Sequence, residues 1–457
     1  MQLGGKVIFC ETFDTKNPGI PSRTGDLDPN VWGVSRAFGV NFGQGEWNNW
    51  ASTVIQKCDG TAPRVSAPMD VIICNGQLRE AVSDNPSLQH DAGGVNVLAM
   101  YPKQPFDFAG RTGTVSFDVS NDSTGTHSAW PEFWFTNLPV PTPFNHTDTW
   151  QSLPEHGFGL RFSSAVAAGQ QGMCPNGNNL GKNRWTVDSA VVVRNWVMDD
   201  TVGIGGVRTN MNMTILDCVI SASGPNQMNH IELKISQNQI DIYATDAGVA
   251  ATPSTLRRIA TVTNANLSAT RGLIWLQDAH YNADKGVSAG FPVSQREHTF
   301  AWDNIAFDGP FTYRDFSYDA LDNNVPGKNG TTNLGKLSVA NQPSTWNVLN
   351  MPANRQAASV RVLFNFFAYE RPSAFKISVN GRTYTQPWPY PDTRTYTWKT
   401  NAFTIPIGDL VTGTNVVTIG ADQTMAVANV NIVLVDVPGG VPVLPGSNNA
   451  YPAGGAP

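Results

Sequence analysis

Short apolar runs, each bounded by turn-forming residues, follow one another along nearly the whole chain. Examples are residues 113–122 (GTVSFDVSND), 189–198 (SAVVVRNWVM), 230–245 (HIELKISQNQIDIYAT) and 298–309 (HTFAWDNIAFDG). Gly, Asn, Asp and Pro separate the runs, and long helical periodicity is nearly absent. Many short strands at this spacing predict an all-β chain of the sandwich or jelly-roll kind.

A strict alternation between residues 155 and 161 (EHGFGLR) is the most informative local pattern. Glu155, Gly157, Gly159 and Arg161 share one face of the predicted strand. The aromatic segment 127–135 (HSAWPEFWF) precedes it. A face with a carboxylate at one end, a guanidinium at the other and only glycine between leaves room for a ligand. We therefore expect the two segments to lie side by side as the floor of an open cleft, and aromatic walls with few polar groups favour sugars as ligands.

A second set of strands begins beyond Gly309-Pro310, after a polar, turn-rich segment. These predicted strands span residues 358–369, 374–385, 401–410, 415–421 and 427–437. They describe a compact sandwich of their own. We therefore predict a jelly roll over residues 1–310, a smaller β-sandwich over residues 311–437 and a Gly/Pro-rich tail over residues 438–457.

Composition limits the class of protein. The length of 457 residues suits two domains, and charged residues make up 14%, against about 25% in an average soluble chain. With 42 Gly and 31 Pro, this balance is typical of extracellular β-proteins. We therefore expect a secreted or cell-surface protein, although no signal peptide is seen at the N-terminus.

Charge and hydropathy make some partners poor candidates. The net charge is −6 with no long basic run, so nucleic acid and anionic membranes are not expected as partners. No segment is apolar over the ~18 residues that a membrane span requires. The expected partner is a polysaccharide or oligosaccharide, and the chain is expected to be a monomer.

Five cysteines permit two disulfides and one free thiol. Proximity in the sequence makes Cys58 with Cys74, and Cys174 with Cys218, the economical pairings. Other pairings, and small buried thiols without any disulfide, stay open.

Three segments resemble the concanavalin A-like lectin/glucanase superfamily, and in particular its laminarinase-type glycoside hydrolases. They are FCETFD with LDPNVWGVS within residues 9–35, SAWPEFWF at 128–135 and HTFAWDNIAFDGP at 298–310. The resemblance covers residues 7–310 and implies a jelly-roll sandwich. Residues 330–437 resemble galactose-binding-like or immunoglobulin-like accessory modules of carbohydrate-active enzymes.

The laminarinase type implies a catalytic strand with Glu-x-Asp-x-x-Glu after the tryptophan motif. Here that strand is EHGFGLRF: Glu155 fits the first acidic position, but Gly157 and Gly159 stand where further carboxylates would project. Retaining hydrolysis needs two carboxyls about 5–5.5 Å apart. We therefore take Glu132 and Glu155 as the acid/base candidates; the alternative is a solvent-facing Glu132 and a Glu155 paired with Arg161.

Histidines offer a different chemistry. His280, next to Asp278 on one face of the strand at 274–285, is a candidate proton acceptor. Tyr281 with Gln277 would suit β-elimination of a uronate, as in the alginate-lyase-type members of the superfamily. The arginine-rich strand and the Gln-Ile-His motif of those lyases are absent, and a buried, hydrogen-bonded histidine is the alternative.

Several aromatic and polar residues are candidates for sugar contacts. The expected substrate-binding set is Trp130, Trp134, Arg161, Trp47, Trp50, His127, Gln277 and Tyr281. In the C-terminal part, Trp388-Pro389-Tyr390 is either an exposed aromatic knuckle for glycan stacking or a loop packed on itself.

Glu11 and Asp303 resemble the structural Ca²⁺ position of the superfamily, with Asp14 and Asp308 as substitutes. The first and last strands of the jelly roll are expected to lie side by side, and carboxylates suit a hard cation.

The function most favoured is an extracellular polysaccharide-acting enzyme, with hydrolysis preferred to elimination. A polysaccharide lyase is one alternative. Another is a non-catalytic, lectin-like glycan-binding surface protein, which the missing second carboxylate favours. A structural appendage without any cleft is a further one.

Overall fold

The structure is a computed structural model, and it describes 22 stretches of the chain. They are residues 6–15, 26–28, 31–38, 53–55, 64–66, 69–83, 95–121, 128–136, 157–163, 184–193, 198–199, 207–208, 215–220, 228–263, 267, 270–281, 297–310, 313–320, 335–353, 355–368, 370–389 and 398–438. In some strands only the backbone is described.

The described stretches between residues 7 and 308 contain twenty strands. They are β1 (Val7–Glu11), β2 (Trp32–Phe38), β3 (Thr53–Ile55), β4 (Arg64–Ser66), β5 (Met69–Cys74), β6 (Gln77–Ser83), β7 (Val95–Pro102), β8 (Phe106–Asp107), β9 (Gly113–Asn121), β10 (Ser128–Thr136), β11 (Gly157–Ser163), β12 (Arg184–Val193), β13 (Met198–Asp199), β14 (Val207–Arg208), β15 (Ile215–Ile220), β16 (Asn229–Ile235), β17 (Gln239–Ala244), β18 (Arg257–Thr263), β19 (Arg271–Tyr281) and β20 (Glu297–Asp308).

The described stretches after residue 308 contain nine further strands and one short 3₁₀ helix (Ile407–Asp409). The strands are β21 (Tyr313–Asp319), β22 (Gly335–Ser338), β23 (Ser344–Met351), β24 (Ser359–Ala368), β25 (Ala374–Val379), β26 (Arg382–Pro387), β27 (Trp398–Ile405), β28 (Gly413–Ala421) and β29 (Met425–Pro438). The predicted all-β class is therefore confirmed. No helix in the described stretches is long and apolar enough to cross a membrane.

Two large antiparallel sheets form the N-terminal sheet pair. The first has the order β18-β17-β16-β9-β20-β6-β5, with β1 also paired to β20. The second, which we call the inner sheet, has the order β15-β12-β11-β10-β19-β7-β2, with β8 also paired to β19. As the resemblance implies, the first strand lies beside the last one, with Cys10 opposite Ala306.

Alternation along each strand decides which residues form the N-terminal core. Phe133 and Phe135 of β10 point into it, and Phe133 stacks on Phe117 of the opposite sheet with ring centroids 5.0 Å apart. Glu132 and Trp134, the intervening residues of β10, therefore belong to the other face of the inner sheet. That face is where the sequence predicts the cleft.

Two smaller sheets form the C-terminal sheet pair, with orders β21-β29-β24-β27 (β22 also pairs with β29) and β23-β28-β25-β26. The predicted boundary at residue 310 falls between β20 and β21. Apolar side chains of both sheets share one core, and Trp388 is part of it, stacked on Phe375 at 5.8 Å between ring centroids. The exposed knuckle is therefore wrong for Trp388, because its ring fills the core of its own sheet pair.

The two sheet pairs contact each other through a third apolar cluster, which we call the joining cluster. Its members are buried on both sides: Tyr101, Trp134, Leu273 and Trp275 from the inner sheet, and Leu363 and Val433 from the five-stranded C-terminal sheet. Val435 packs against them, and Arg271 forms an ion pair with Asp436 at the edge. Full burial of each large apolar side chain contributes roughly 1.5–3 kcal/mol, so this interface holds the sheet pairs firmly together.

Candidate glycan site

The aromatic strand and the glycine-bearing strand are hydrogen-bonded neighbours, as the sequence predicts. In the register of β10 and β11, Glu132 is opposite Arg161, and Trp134 is opposite Gly159. On its other side β10 pairs with β19, where Glu132 is opposite Gln277 and Trp134 is opposite Trp275. Residues directly opposite each other share a face of the sheet. Glu132 and Gln277 thus stand side by side next to an aromatic row.

Glu132 is the centre of a small buried network. One of its carboxylate oxygens, Oε2, accepts hydrogen bonds from Trp134 Nε1 at 2.9 Å and from Gln277 Nε2 at 2.5 Å. Both Glu132 and Gln277 are 0% exposed. Hydrogen bonding of this kind is what makes burial of a charged group tolerable. The network gives the carboxylate a fixed position and orientation.

The expected open cleft is closed at this point. Trp134 is 3% exposed, and it packs into the joining cluster beneath Leu363 and Val433 of the C-terminal sheets. A solvent-facing Glu132, the alternative weighed from the sequence, is therefore wrong. Alternation predicts which side chains point away from the core of their own sandwich. It does not predict whether another sheet covers those side chains.

Asp188 is a residue of this region that the sequence analysis missed. It lies on β12 opposite Arg161, which in turn lies opposite Glu132, so the three backbone positions form one line across adjacent strands. Gln277 continues the line on β19. We call these four positions the polar row. The signal was present in the sequence as a single acid inside the apolar strand segment WTVDSAVVV.

The register also bears on Glu155. Strand β11 begins at Gly157, four residues before Arg161 and the polar row. At about 3.3 Å per residue, the start of the strand is roughly 13 Å from the row. Glu155 precedes that start and lies outside the described residues, so its pairing with Glu132 stays a prediction. Trp47, Trp50 and His127 also lie outside the described residues, so their roles in sugar binding stay predictions.

Other predicted residues are placed by their backbone only. Trp130 is opposite Ala279, and Ser128 is opposite Tyr281, so Trp130 and Tyr281 share the alternating set of Glu132 and Gln277. His280 is opposite Ala129 and falls instead in the alternating set of Ile274 and Leu276, which pack in the N-terminal core. The side chains of Trp130, Arg161, His280 and Tyr281 are not described, and their roles stay predictions.

The predicted calcium residues lie on the first sheet of the N-terminal pair, which contains β1, β9 and β20 and which we call the outer sheet. Asp303 on β20 is opposite Asp118 on β9, and Glu11 ends β1 beside them. Glu11 accepts hydrogen bonds from Phe13 N at 2.9 Å and Trp32 Nε1 at 3.3 Å. Among the described residues, no three His, Cys, Asp or Glu side chains are grouped to hold a metal ion. The calcium site therefore stays a prediction.

Asp303 is nevertheless electrostatically unusual. Burial raises its pKa to about 7; a hydrogen bond from Asn304 N opposes the rise, and the carboxylates of Asp118, Asp14 and Glu11 add to it. Asp118 is itself bound to His230 Nδ1 at 2.5 Å and to Asn304 Nδ2 at 2.7 Å. Burial, reinforced by these acidic neighbours, thus favours a proton on Asp303 below neutral pH.

We expect Asp303→Asn to raise the melting temperature at pH 8 and to change it little near pH 4. The folded chain holds the Asp303 proton up to a pKa of about 7, whereas an unfolded aspartate loses it near pH 4. Unfolding therefore releases a proton between these values, and stability falls as the pH rises through that window. Asparagine removes this loss. Thermal melts of both proteins at several pH values measure it.

Asp241→Asn, which also removes an acid from the outer sheet, is the control for the change of charge. A gain from Asp303→Asn that is equal at pH 4 and pH 8 would contradict the prediction. The wild type and Asp303→Asn also test whether calcium binds. If the ion binds here, calcium added at pH 8 raises the melting temperature of the wild type but not of Asp303→Asn.

No protein-family model and no curated protein matches the chain. Solved structures that resemble it include a β-glucanase of Bacillus licheniformis (10% identity, TM-score 0.31, covering 67% of this chain and 99% of that one). Another is SCLam, a non-specific endo-β-1,3(4)-glucanase from family GH16 (11%, 0.30, 67% and 92%). A third is the exoplasmic/lumenal domain of VIP36 in its Ca²⁺/Man3GlcNAc-bound form (10%, 0.30, 52% and 83%).

Two of these proteins are glucanases, and the third is a domain bound to Ca²⁺ and Man3GlcNAc. With identities near 10% and TM-scores near 0.3, no residue of the site is assigned from them.

Proposed function

We propose that the chain is an extracellular carbohydrate-binding protein, and that a sugar chain binds at the part of the inner sheet beyond the polar row. The observation that supports it is the buried network of Glu132, Gln277 and Trp134. The network fixes one end of a region of the inner sheet. In that region, on the side of Glu132 away from the joining cluster, Trp130 and Tyr281 belong to the same alternating sets as Glu132 and Gln277. Aromatic residues next to a few fixed polar groups suit sugar recognition.

Hydrolysis is the second candidate, and the polar row favours it. Glu132 and Asp188 are two strands apart in one row, so their Cα atoms are separated by about 10 Å. Inverting glycosidases hold their two carboxyls about 6.5–9.5 Å apart. In this mechanism one carboxyl protonates the leaving oxygen and the other activates a water molecule. The enclosure of Glu132 favours binding over this chemistry.

We expect Trp130→Ala or Tyr281→Ala to weaken polysaccharide binding about tenfold, equivalent to roughly 1.4 kcal/mol, because a stacking surface is lost. Tyr243→Ala is the matched control: Tyr243 lies on β17 of the outer sheet, where Lys234 Nζ sits 4.8 Å from its ring centre. Pull-down and affinity electrophoresis on β-glucans, xylan, alginate and pectin measure binding.

Product release from the same polysaccharides separates the candidates. New reducing ends that disappear in both Glu132→Gln and Asp188→Asn would support hydrolysis over simple binding. Ultraviolet absorbance from an unsaturated uronate would support elimination instead. A wild-type chain that binds and cleaves none of the four would overturn the proposed function.

A further inference from the structure

Trp134 connects the C-terminal sheets to the candidate site. Its ring packs in the joining cluster with Leu363 of β24 and Val433 of β29. Its indole N–H donates the 2.9 Å hydrogen bond to Glu132 Oε2. One side chain therefore takes part in the joining cluster with its ring and binds the buried carboxylate with its nitrogen.

The neighbouring strand repeats this arrangement. Trp275 is opposite Trp134 in the register of β10 and β19, and it belongs to the joining cluster as well. Gln277, two residues further along β19, donates the second hydrogen bond to Glu132 Oε2 at 2.5 Å. Both donors to the carboxylate are thus on strands that contribute to the joining cluster. Trp134 is itself a member of the cluster, and Gln277 is two positions from Trp275, which is also a member.

We propose that the C-terminal sheet pair is a part of the glycan site, because it positions Glu132 through Trp134. This inference rests on the proposed function. An indole N–H points at its acceptor only when the ring is held in one orientation, and close packing on both sides of a ring restricts its rotamers. The joining cluster supplies that packing, with Leu363 and Val433 from the C-terminal sheet pair and the other members from the inner sheet. Leu363 is a positioning residue, since it acts through Trp134.

A purely structural join predicts something different. If the joining cluster only attached the two sheet pairs, truncation of a side chain there would lower stability but leave the hydrogen bond from Trp134 to Glu132 and the affinity of the site unchanged. The chain offers a matched pair to separate these cases. Leu363 and Leu434 are both 0% exposed and lie on paired strands, but Leu363 belongs to the joining cluster and Leu434 to the C-terminal core.

The test compares Leu363→Ala with Leu434→Ala in the full chain, at a temperature where both are folded. The indole N–H resonance of Trp134, assigned by its absence in Trp134→Phe, reports the hydrogen bond to Glu132. We expect Leu363→Ala to shift this resonance, to speed its exchange with solvent about tenfold and to weaken polysaccharide binding about tenfold. Leu434→Ala should leave the resonance and the affinity at wild-type values. Leu363→Val replaces Leu363→Ala if the latter does not fold.

Two results would overturn the proposal. One is a Trp134 resonance that is the same in Leu363→Ala as in the wild type. The other is a shifted resonance with unchanged affinity for a polysaccharide that the wild type binds. Failure of the proposed function is a separate result: a wild type that binds no polysaccharide removes the site, whereas the resonance still shows whether the C-terminal sheets control the partner of Glu132.

Discussion

Trp275→Ala is expected to destabilise the chain by about 3–5 kcal/mol and to split its unfolding into two transitions. Trp275 is 0% exposed at the centre of the joining cluster. Its loss leaves a cavity between the two sheet pairs rather than inside either one. Apart from Ala426 of β29, which belongs to the N-terminal cluster, the cores of the N-terminal and C-terminal pairs are separate clusters, so each should then unfold at its own denaturant concentration. Urea titrations followed by tryptophan fluorescence and circular dichroism measure both effects.

Two other buried tryptophans serve as controls. Trp302 lies in the N-terminal core and Trp346 in the C-terminal core. Alanine at either position creates a cavity of similar size but leaves the joining cluster intact, so the cost should be similar while the two sheet pairs remain coupled. If Trp275→Ala unfolds in one transition, just as the controls do, the joining cluster is not what couples the sheet pairs.

Glu132→Ala is expected to lower the free energy of unfolding by about 2–6 kcal/mol. The substitution leaves two donors, Trp134 Nε1 and Gln277 Nε2, in a site from which water is excluded. Each buried donor without an acceptor costs about 1–3 kcal/mol. Glu132→Gln should cost less, because its amide oxygen still accepts a hydrogen bond. Denaturant unfolding of the three proteins gives the ranking.

Glu232→Ala on β16 is the control for removing a mostly buried glutamate. Glu232 forms an ion pair with Lys234 at 3.5 Å, and that lysine is 44% exposed. Such a pair contributes about 0–1 kcal/mol. Equal losses at positions 132 and 232 would contradict the view that the hydrogen-bonded network makes Glu132 costly to replace.

The pairing of β10 with β11 was predictable because they are consecutive strands, and strands that follow one another in the sequence usually lie side by side. Alternation separated Glu132 and Trp134 from Phe133 and Phe135, and the structure keeps that separation. Asp188 could also have been found, since a lone acid in an apolar strand marks a position outside the core. The register that aligns it with Arg161 and Glu132 could not, because the chain between these strands is long.

The local sequence pattern did not predict burial where side chains from another part of the chain cover a residue. Trp388 stands in a Pro-rich segment that looks exposed, yet its ring completes the C-terminal core. Trp134 and Trp275 resemble cleft aromatics, yet Leu363 and Val433 cover them. In both cases the covering residues are distant in the sequence. Burial of apolar surface is favourable whichever part of the chain provides the covering side chains, so the local pattern does not reveal it.

The amino-acid sequence by itself determined the all-β class and the alternation of each strand. Those features follow from side-chain periodicity and turn chemistry, which act over a few residues. Tertiary structure alone decided that the predicted cleft floor is partly an interface and that Glu132 is enclosed. Contacts between distant strands set both outcomes, because a face that leaves one core still gains free energy by joining another.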